Sequence, residues 1–409
     1  MKLQRRVQNV FIIIATSVLF GTFKNIFLAR ELTQEEMGLF YLAMTIVGFV
    51  YPLSMFGQQK SIVRFFSRND PSIYNWKRGS FWIVCWGTIF TSIVLVVVSR
   101  IYHLTSVIIV FTMFAILSSV VAELFTNFIR SQGHYELAIF LQRSVRFILP
   151  VVLVLLYIFG KFELLLILLW FSTVYVVLSL IILGVTYTLV PSGEERLPTS
   201  MYWDNAFFVG LDLSALIMAL AVNFFIAKMI SIEALGIYFA IFSVMRVYDL
   251  ANQAIEYILM PHSIRLKKKQ MIRVIIQISG IAVFISLFYF LFGQQLVEVL
   301  FKGKYNEGIG LIPLFAAVGF ANILNVVPLS VIGGRLEQEV LKRFFYFSMC
   351  LAFLTLFLNA WFIYLWQLIG ALIALLIIAV LRLVIGYTIL FKYYDQVPLG
   401  DETFIEYSV

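Results

Sequence analysis

Ionisable side chains recur inside long apolar segments of this chain, and these are the residues best placed to do chemistry. One such segment carries polar residues at spacings of three and four, which puts them on a single helical stripe: Arg246, Asp249, Asn252, Gln253 and Glu256. An ionised group inside a bilayer is costly and usually faces a cavity or a partner. The stripe therefore predicts a polar lumen, although Arg246 and Asp249 could simply neutralise one another.

Other cations inside apolar segments are candidates to bind an anionic group such as a diphosphate. Lys24 shares a helical face with Ser17 and Gly21 and lies past the middle of its segment, toward the outer leaflet. Arginine suits a diphosphate because its planar fork donates two parallel hydrogen bonds, whereas lysine provides a mobile point charge. Lys24 and Arg246 are the first candidates. Three arginines are further candidates to bind the anionic group: Arg143, Arg146 and Arg382. The competing explanation is that their side chains extend to the lipid headgroups.

Intramembrane carboxylates are candidates to carry a coupling ion, because a carboxyl group removed from water can take up a proton. They are Glu123, Asp212, Asp249 and Glu256, and they nearly balance the intramembrane cations. Protons, sodium or the membrane potential could each drive transport, since moving one charge across 100 mV is worth about 2.3 kcal/mol. No cofactor is expected, because the three histidines are scattered and no phosphate-binding glycine loop is present.

The elements that position these residues are membrane-spanning helices. Of the 409 residues, 62% are hydrophobic and 13% are charged, too few to give a soluble domain its polar surface. A helix needs about 20 mainly apolar residues to cross a bilayer. Twelve such segments predict an all-α integral membrane protein: 7–29, 37–56, 79–98, 104–128, 137–158, 164–190, 206–230, 235–260, 272–292, 309–331, 344–365 and 371–391.

Basic residues gather on one side of these predicted spans. With the amino terminus inside, two cytoplasmic loops hold Lys60, Arg64, Arg68, Lys77 and Arg78, and then Arg265, Lys267, Lys268, Lys269 and Arg273. The opposite loops hold only Arg30, Arg100, Lys161, Lys228, Lys302 and Lys304. The positive-inside rule therefore predicts that both termini are cytoplasmic. Membrane retention and anionic lipid account for the net charge of +8, so nucleic acid is not an expected partner.

The chain repeats itself at a shift of 198 residues, which aligns 26–41 with 224–239. The match includes polar positions: Asn25 with Asn223, Arg30 with Lys228, Thr33 with Ser231, Glu35 with Glu233 and Gly38 with Gly236. We interpret the aligned asparagines as lumen residues as well. The shift moves helix 1 onto helix 7, so it predicts two parallel six-helix bundles, 1–200 and 201–409. In such transporters the substrate path lies between bundles that rock in alternating access, and a monomer suffices.

Several motifs resemble the polysaccharide-transporter flippases of the multidrug/oligosaccharidyl-lipid/polysaccharide exporter superfamily. They are LAREL at 28–32, EEMGLFYLA at 35–43, RSQGHY at 130–135 and LFKGKYNEG at 300–308. The resemblance implies a flippase in the bacterial cytoplasmic membrane, not an enzyme. Its cargo would be a polyprenyl-diphosphate-linked oligosaccharide, such as an O-antigen, capsule or exopolysaccharide repeat unit, and a polysaccharide polymerase is the protein partner it allows.

Two other functions stay open at this point. A cation-coupled multidrug exporter of the same superfamily would depend on the carboxylates and little on Lys24. A membrane polysaccharide polymerase or ligase would usually present a large outer catalytic loop, whereas the outward breaks here are short and carry no His or carboxylate cluster.

Overall fold

A computed structural model describes residues 2–66, 69–197, 199–262, 268–335 and 338–393, and helices make up nearly all of this part of the chain. The elements are α1 (Lys2–Glu31), α2 (Gln34–Ser54), α3 (Gln58–Phe66), α4 (Trp76–Tyr102), α5 (Ser106–Ser131), α6 (Tyr135–Ile158), α7 (Leu164–Leu189), α8 (Thr199–Met229), α9 (Ile232–Val244), α10 (Val247–His262), α11 (Lys268–Phe301), a 3-10 turn (Asn306–Leu311), α12 (Ile312–Arg335) and α13 (Gln338–Tyr393).

Ten described helices are long and apolar enough to cross a membrane, and the count is eleven if the bent pair α9 and α10 forms one span. The 56-residue α13 has non-helical backbone at Trp366 and Gln367. At 1.5 Å per residue it is far longer than the roughly 30 Å of a hydrocarbon core, so the break divides it into two spans, between the predicted segments 344–365 and 371–391. The all-α, multi-pass membrane fold is confirmed.

The predicted continuous helix 235–260 is wrong, because α9 and α10 meet at an angle of 56°. The amide of Tyr248 donates to the carbonyl of Met245 (3.1 Å), which leaves the carbonyl of Val244 outside the helical ladder. The hydroxyl of Tyr289 on α11 donates to that carbonyl at 2.6 Å. The Tyr289 ring stacks on Tyr248, and Gly319 leaves room for the Tyr248 ring. A buried side chain therefore replaces the hydrogen bond that the bend removes.

Tyr289→Phe is expected to destabilise the C-terminal part of the chain. The substitution keeps the ring but leaves the Val244 carbonyl buried without a donor, which costs about 1–3 kcal/mol. A lower melting temperature in detergent would show this. Tyr364→Phe is the matched control, because Tyr364 is 80% exposed. Equal melting temperatures for the two variants would mean that the Tyr289 hydroxyl does not stabilise the bend.

The basic loop 58–78 is partly helical, which hydropathy alone did not indicate. α3 occupies its first nine residues and packs against α5 and α8. Its amphipathic sequence, with Phe65 and Phe66 against Tyr74, explains why a segment too polar to span still folds onto the bundle. Arg68, Arg265 and Lys267 lie outside the described residues.

The contacts divide the chain into two compact units, Met1–Gly236 and Ile237–Val409. In the first unit α5 packs against α7 and α2, and α1 packs against α6. In the second unit α12 packs against α10, α11 and α13. The first unit includes α8 and the start of α9, whereas the repeat places its boundary at residue 200; that boundary stays a prediction.

The two aligned segments of the repeat fold into corresponding turns. Thr33 caps α2 in a capping box, because its hydroxyl accepts from the amide of Glu36 (3.1 Å) while the Glu36 carboxylate accepts from the amide of Thr33 (2.9 Å). At the aligned position, the hydroxyl of Ser231 accepts from the amide of Ala234 (3.0 Å). The hydroxyl cap is therefore common to both turns, and only the glutamate half of the box is missing from the second.

Candidate functional site

A polar centre lies inside the N-terminal unit, around Glu123 on α5. The Glu123 carboxylate accepts a hydrogen bond from the Gln142 amide at 2.5 Å. It also interacts electrostatically with Arg130 and Arg143. The Arg143 guanidinium also donates to the hydroxyl of Ser17 at 3.3 Å. Because Gln142 and Arg143 are neighbours on α6, this short segment joins α5 to α1. A carboxylate and a guanidinium thus share one site in the span.

A second carboxylate, Asp212 on α8, accepts a hydrogen bond from the Gln59 amide on α3 at 2.6 Å. Tyr51 on α2 interacts electrostatically with both carboxylates, Glu123 and Asp212. Arg146 interacts with Tyr51 and with Tyr175 on α7. The polar centre is defined here as the group to which seven helices contribute: Ser17, Tyr51, Gln59, Glu123, Gln142, Arg143, Arg146, Tyr175 and Asp212.

Extension to the headgroups does not describe Arg143, because its guanidinium donates a hydrogen bond to Ser17 on α1 and interacts electrostatically with Glu123 on α5. The sequence placed it near the end of a span, but packing of α6 against α1 and α5 turns it inward. Arg146 is exposed and interacts electrostatically with two tyrosines, Tyr51 and Tyr175. Both arginines therefore belong to the polar centre, and their role in substrate binding stays a prediction.

Lys24 lies against aromatic rings of the same unit. Its Nζ is 5.3 Å from the centroid of Phe40 and 5.9 Å from that of Phe171. The two rings meet edge to face, with centroids 5.9 Å apart. A cation over aromatic faces gains about 0.5–2 kcal/mol, which helps to explain how a lysine is held within the span. Any anion that binds Lys24 must compete with these rings.

The aligned asparagines are both buried, but their surroundings differ. Asn223 donates to the hydroxyls of Tyr41 (3.1 Å) and Thr45 (3.2 Å). The Nδ2 atom of Asn25 is buried without a hydrogen-bond partner among the described residues. The two asparagines are therefore aligned in the sequence but differ in their hydrogen bonds. Asn223 links α8 to α2.

The C-terminal unit holds the remaining predicted site residues, and the bend changes their arrangement. Arg246 lies in the break before α10, so it is not on one continuous stripe with the others; its guanidinium is 5.8 Å from the Phe242 ring. Asp249 and Glu256 are on α10, and Glu256 interacts electrostatically with Arg382 on α13. Three polar side-chain atoms are buried here with no hydrogen-bond partner in the described part of the chain: Nε of Arg246, Oδ1 of Asn252 and Oε1 of Gln253.

The sequence did not identify four uncharged members of the polar centre. They are Tyr51, Gln59, Gln142 and Tyr175. Tyrosine is common throughout this chain, so a single tyrosine does not indicate a site. A glutamine near the end of a span is uncharged, so the cost of burying a charge does not single it out. Gln142 could have been suspected, because it precedes Arg143 and stands four residues before Arg146, on the same helical face.

No family model matches the chain, and no curated protein matches it. Solved structures do resemble it over nearly its whole length. The MATE multidrug transporter DinF-BH in complex with R6G has a TM-score of 0.67 at 16% identity, covering 95% of each chain. An inward-facing multidrug resistance MATE family transporter of the MOP superfamily has a TM-score of 0.61 at 13% identity, covering 94% of this chain and 98% of that one. MATE in complex with MaD3S has a TM-score of 0.63 at 14% identity, covering 95% and 96%. At these identities the likeness shows the fold alone: this chain has the fold of MATE transporters.

Proposed function

We propose that this protein is a cation-coupled exporter of amphiphilic small molecules that works by alternating access. The observation that carries the proposal is Glu123 in its span, bound by Gln142 and facing Arg143. The fold adds support, because similar structures are described as multidrug transporters. These comparisons favour the exporter over the glycolipid flippase that the sequence motifs suggested.

One carboxylate can couple two movements because it cannot be occupied by two cations at once. A proton and a cationic cargo compete for Glu123, and both are attracted strongly where the local dielectric is low. Arg143 stays charged and faces the carboxylate when neither is bound. On the outside, the cargo leaves Glu123 and a proton binds. On the inside, the proton leaves and new cargo binds, so an inward proton gradient drives export. Asp212 offers a second carboxylate beside the same Tyr51.

A lipid-linked oligosaccharide flippase is the second candidate, and the charges of the N-terminal unit favour it. Three intramembrane cations, Lys24, Arg143 and Arg146, stand against two carboxylates, Glu123 and Asp212. An excess of one positive charge suits an anionic headgroup such as a diphosphate. In this case the cargo would be a polyprenyl-diphosphate-linked glycan, with a polysaccharide polymerase as partner. For either cargo we propose a monomer in the bacterial inner membrane with both termini cytoplasmic.

Transport by the purified full chain in proteoliposomes separates the two candidates. R6G uptake and flipping of a fluorescent polyprenyl-diphosphate oligosaccharide are measured in one preparation under an imposed proton gradient. We expect gradient-dependent R6G uptake and no flipping. The second candidate would be established instead if the wild type flips the glycolipid and Lys24→Ala and Arg246→Ala both slow this flipping. The surface variant Lys161→Ala should leave the flipping rate unchanged. Failure to move either compound would contradict both.

A further inference from the structure

A groove of about 530 Å³ lies on the N-terminal unit, where the end of α2, the start of α3 and the first turns of α4 meet. Its lining comprises Phe56, Gln58, Gly79, Trp82, Ile83 and Trp86. The volume is within the roughly 300–1,000 Å³ of small-molecule sites. None of these residues belongs to the polar centre, so the groove is a separate feature.

The long wall of the groove is aromatic and open. Trp82 and Trp86 are 53% and 58% exposed, and Phe56 is 36% exposed. Phe56 follows the end of α2, whereas Trp82 and Trp86 are the seventh and eleventh residues of the 27-residue α4. The wall therefore runs from the interface, where tryptophan is common, toward the hydrocarbon core. A lipid acyl chain is the apolar ligand available at that depth.

One end of the groove is polar. Gln58 is only 3% exposed, and its Oε1 is buried without a hydrogen-bond partner among the described residues. Arg78 is exposed and stands four residues before Trp82 and eight before Trp86, which puts all three on one face of α4. At 1.5 Å per residue, Trp82 and Trp86 lie about 6 and 12 Å farther along the helix than Arg78. The order from charge to aromatic wall matches that of a phospholipid from phosphate to acyl chain.

We propose that this groove binds one bilayer phospholipid with an ethanolamine headgroup. Arg78 contacts the phosphate, and an acyl chain lies along Trp82 and Trp86. The Gln58 side chain turns toward the groove, so that its Oε1 accepts a hydrogen bond from the ammonium group. The unpaired oxygen of Gln58 determines which lipid headgroup the groove prefers. A choline lipid has the same phosphate but no N–H to donate, so it leaves this buried acceptor unpaired.

Native mass spectrometry of the purified full chain, with dioleoyl phosphatidylethanolamine and dioleoyl phosphatidylcholine added in equal amounts, tests the site. We expect one retained ethanolamine lipid, favoured over the choline lipid by about tenfold, the effect of one hydrogen bond to a charged group. Gln58→Leu should make the two lipids equal. Arg78→Gln should lower retention of both lipids and keep their ratio, because it removes the shared phosphate contact.

Phe81→Ala is the matched control, because Phe81 is a neighbouring, 61% exposed aromatic residue that does not line the groove. Trp82→Ala should reduce lipid retention, whereas Phe81→Ala should not. Equal retention of the two lipids by the wild type would overturn the proposal. So would an ethanolamine preference that persists in Gln58→Leu, or an equal loss in Trp82→Ala and Phe81→Ala. Arg78→Gln keeps the test decisive if Gln58→Leu does not fold, because Arg78 is on the surface.

Discussion

Glu123→Gln is expected to reduce proton-driven R6G transport by about tenfold or more while leaving the protein folded. The amide is isosteric with the carboxyl group, and its oxygen can still accept from Gln142, but it can neither release a proton nor attract a cation. Gradient-driven uptake should fall by about tenfold or more, within the 5–150-fold that coupling energies of roughly 1–3 kcal/mol carry. The measurement is initial R6G uptake into proteoliposomes with and without the gradient.

Glu163→Gln is the control, because this exposed carboxylate precedes α7 and lies outside the polar centre. It should leave uptake unchanged. Counterflow of R6G without a gradient separates coupling from binding, since a residue that only couples should leave exchange largely intact. Full gradient-driven uptake by Glu123→Gln would show that Glu123 is not the coupling residue, and Asp212→Asn would then be the variant to test.

The spans could be predicted because lipid imposes one strong requirement, about 20 apolar residues for each crossing. The bend between α9 and α10 could not, because neither proline nor glycine marks it. Val244 and Arg246 stand in an ordinary helical sequence, and the bend depends on a hydroxyl that Tyr289 donates from another helix. Tyr289 is 45 residues away from Val244 in the chain, so no local sequence pattern reveals this hydrogen bond.

The polar centre could be predicted only in its charged members and in Ser17, which shares a helical face with Lys24. Glu123, Arg143 and Asp212 were identifiable because ionised groups inside apolar segments are rare. Which of them meet depends on how the helices are rotated against one another, and hydropathy does not fix that rotation. Tyr51, which interacts electrostatically with both carboxylates, is uncharged and therefore gave no indication in the sequence.

The repeat was visible in the sequence, but the contact between its two copies was not. Gly38 on α2 approaches the backbone of Ile232, and the aligned Gly236 on α9 approaches the backbone of Gln34. Because Gln34 and Ile232 are themselves related by the shift of 198 residues, the contact is reciprocal. Both turns lie in the N-terminal unit, and the two glycines occur where backbone meets backbone.

Gly38→Ala and Gly236→Ala are each expected to prevent normal folding of the N-terminal unit. A Cβ atom at Gly38 would lie 1.9 Å from the carbonyl oxygen of Ile232, and one at Gly236 would lie 2.0 Å from that of Gln34. Neither obstacle is the end of a flexible side chain. The caps at Thr33 and Ser231 hold both turns in place, so the clash cannot be relieved locally. The cost should reach or exceed the roughly 1–3 kcal/mol typical of overpacking.

Yield of folded protein and melting temperature in detergent measure this effect, with Gly184→Ala as the control. Gly184 is also in a helix, and a Cβ there would meet nothing within 4 Å, so alanine should be neutral or stabilise by about 0.5–1 kcal/mol through its greater helix propensity. Wild-type melting temperatures for Gly38→Ala and Gly236→Ala would mean that the two turns do not approach as closely as described. A large loss in both, with none in Gly184→Ala, would establish that close backbone contact between the repeated turns, rather than glycine content in general, holds the N-terminal unit together.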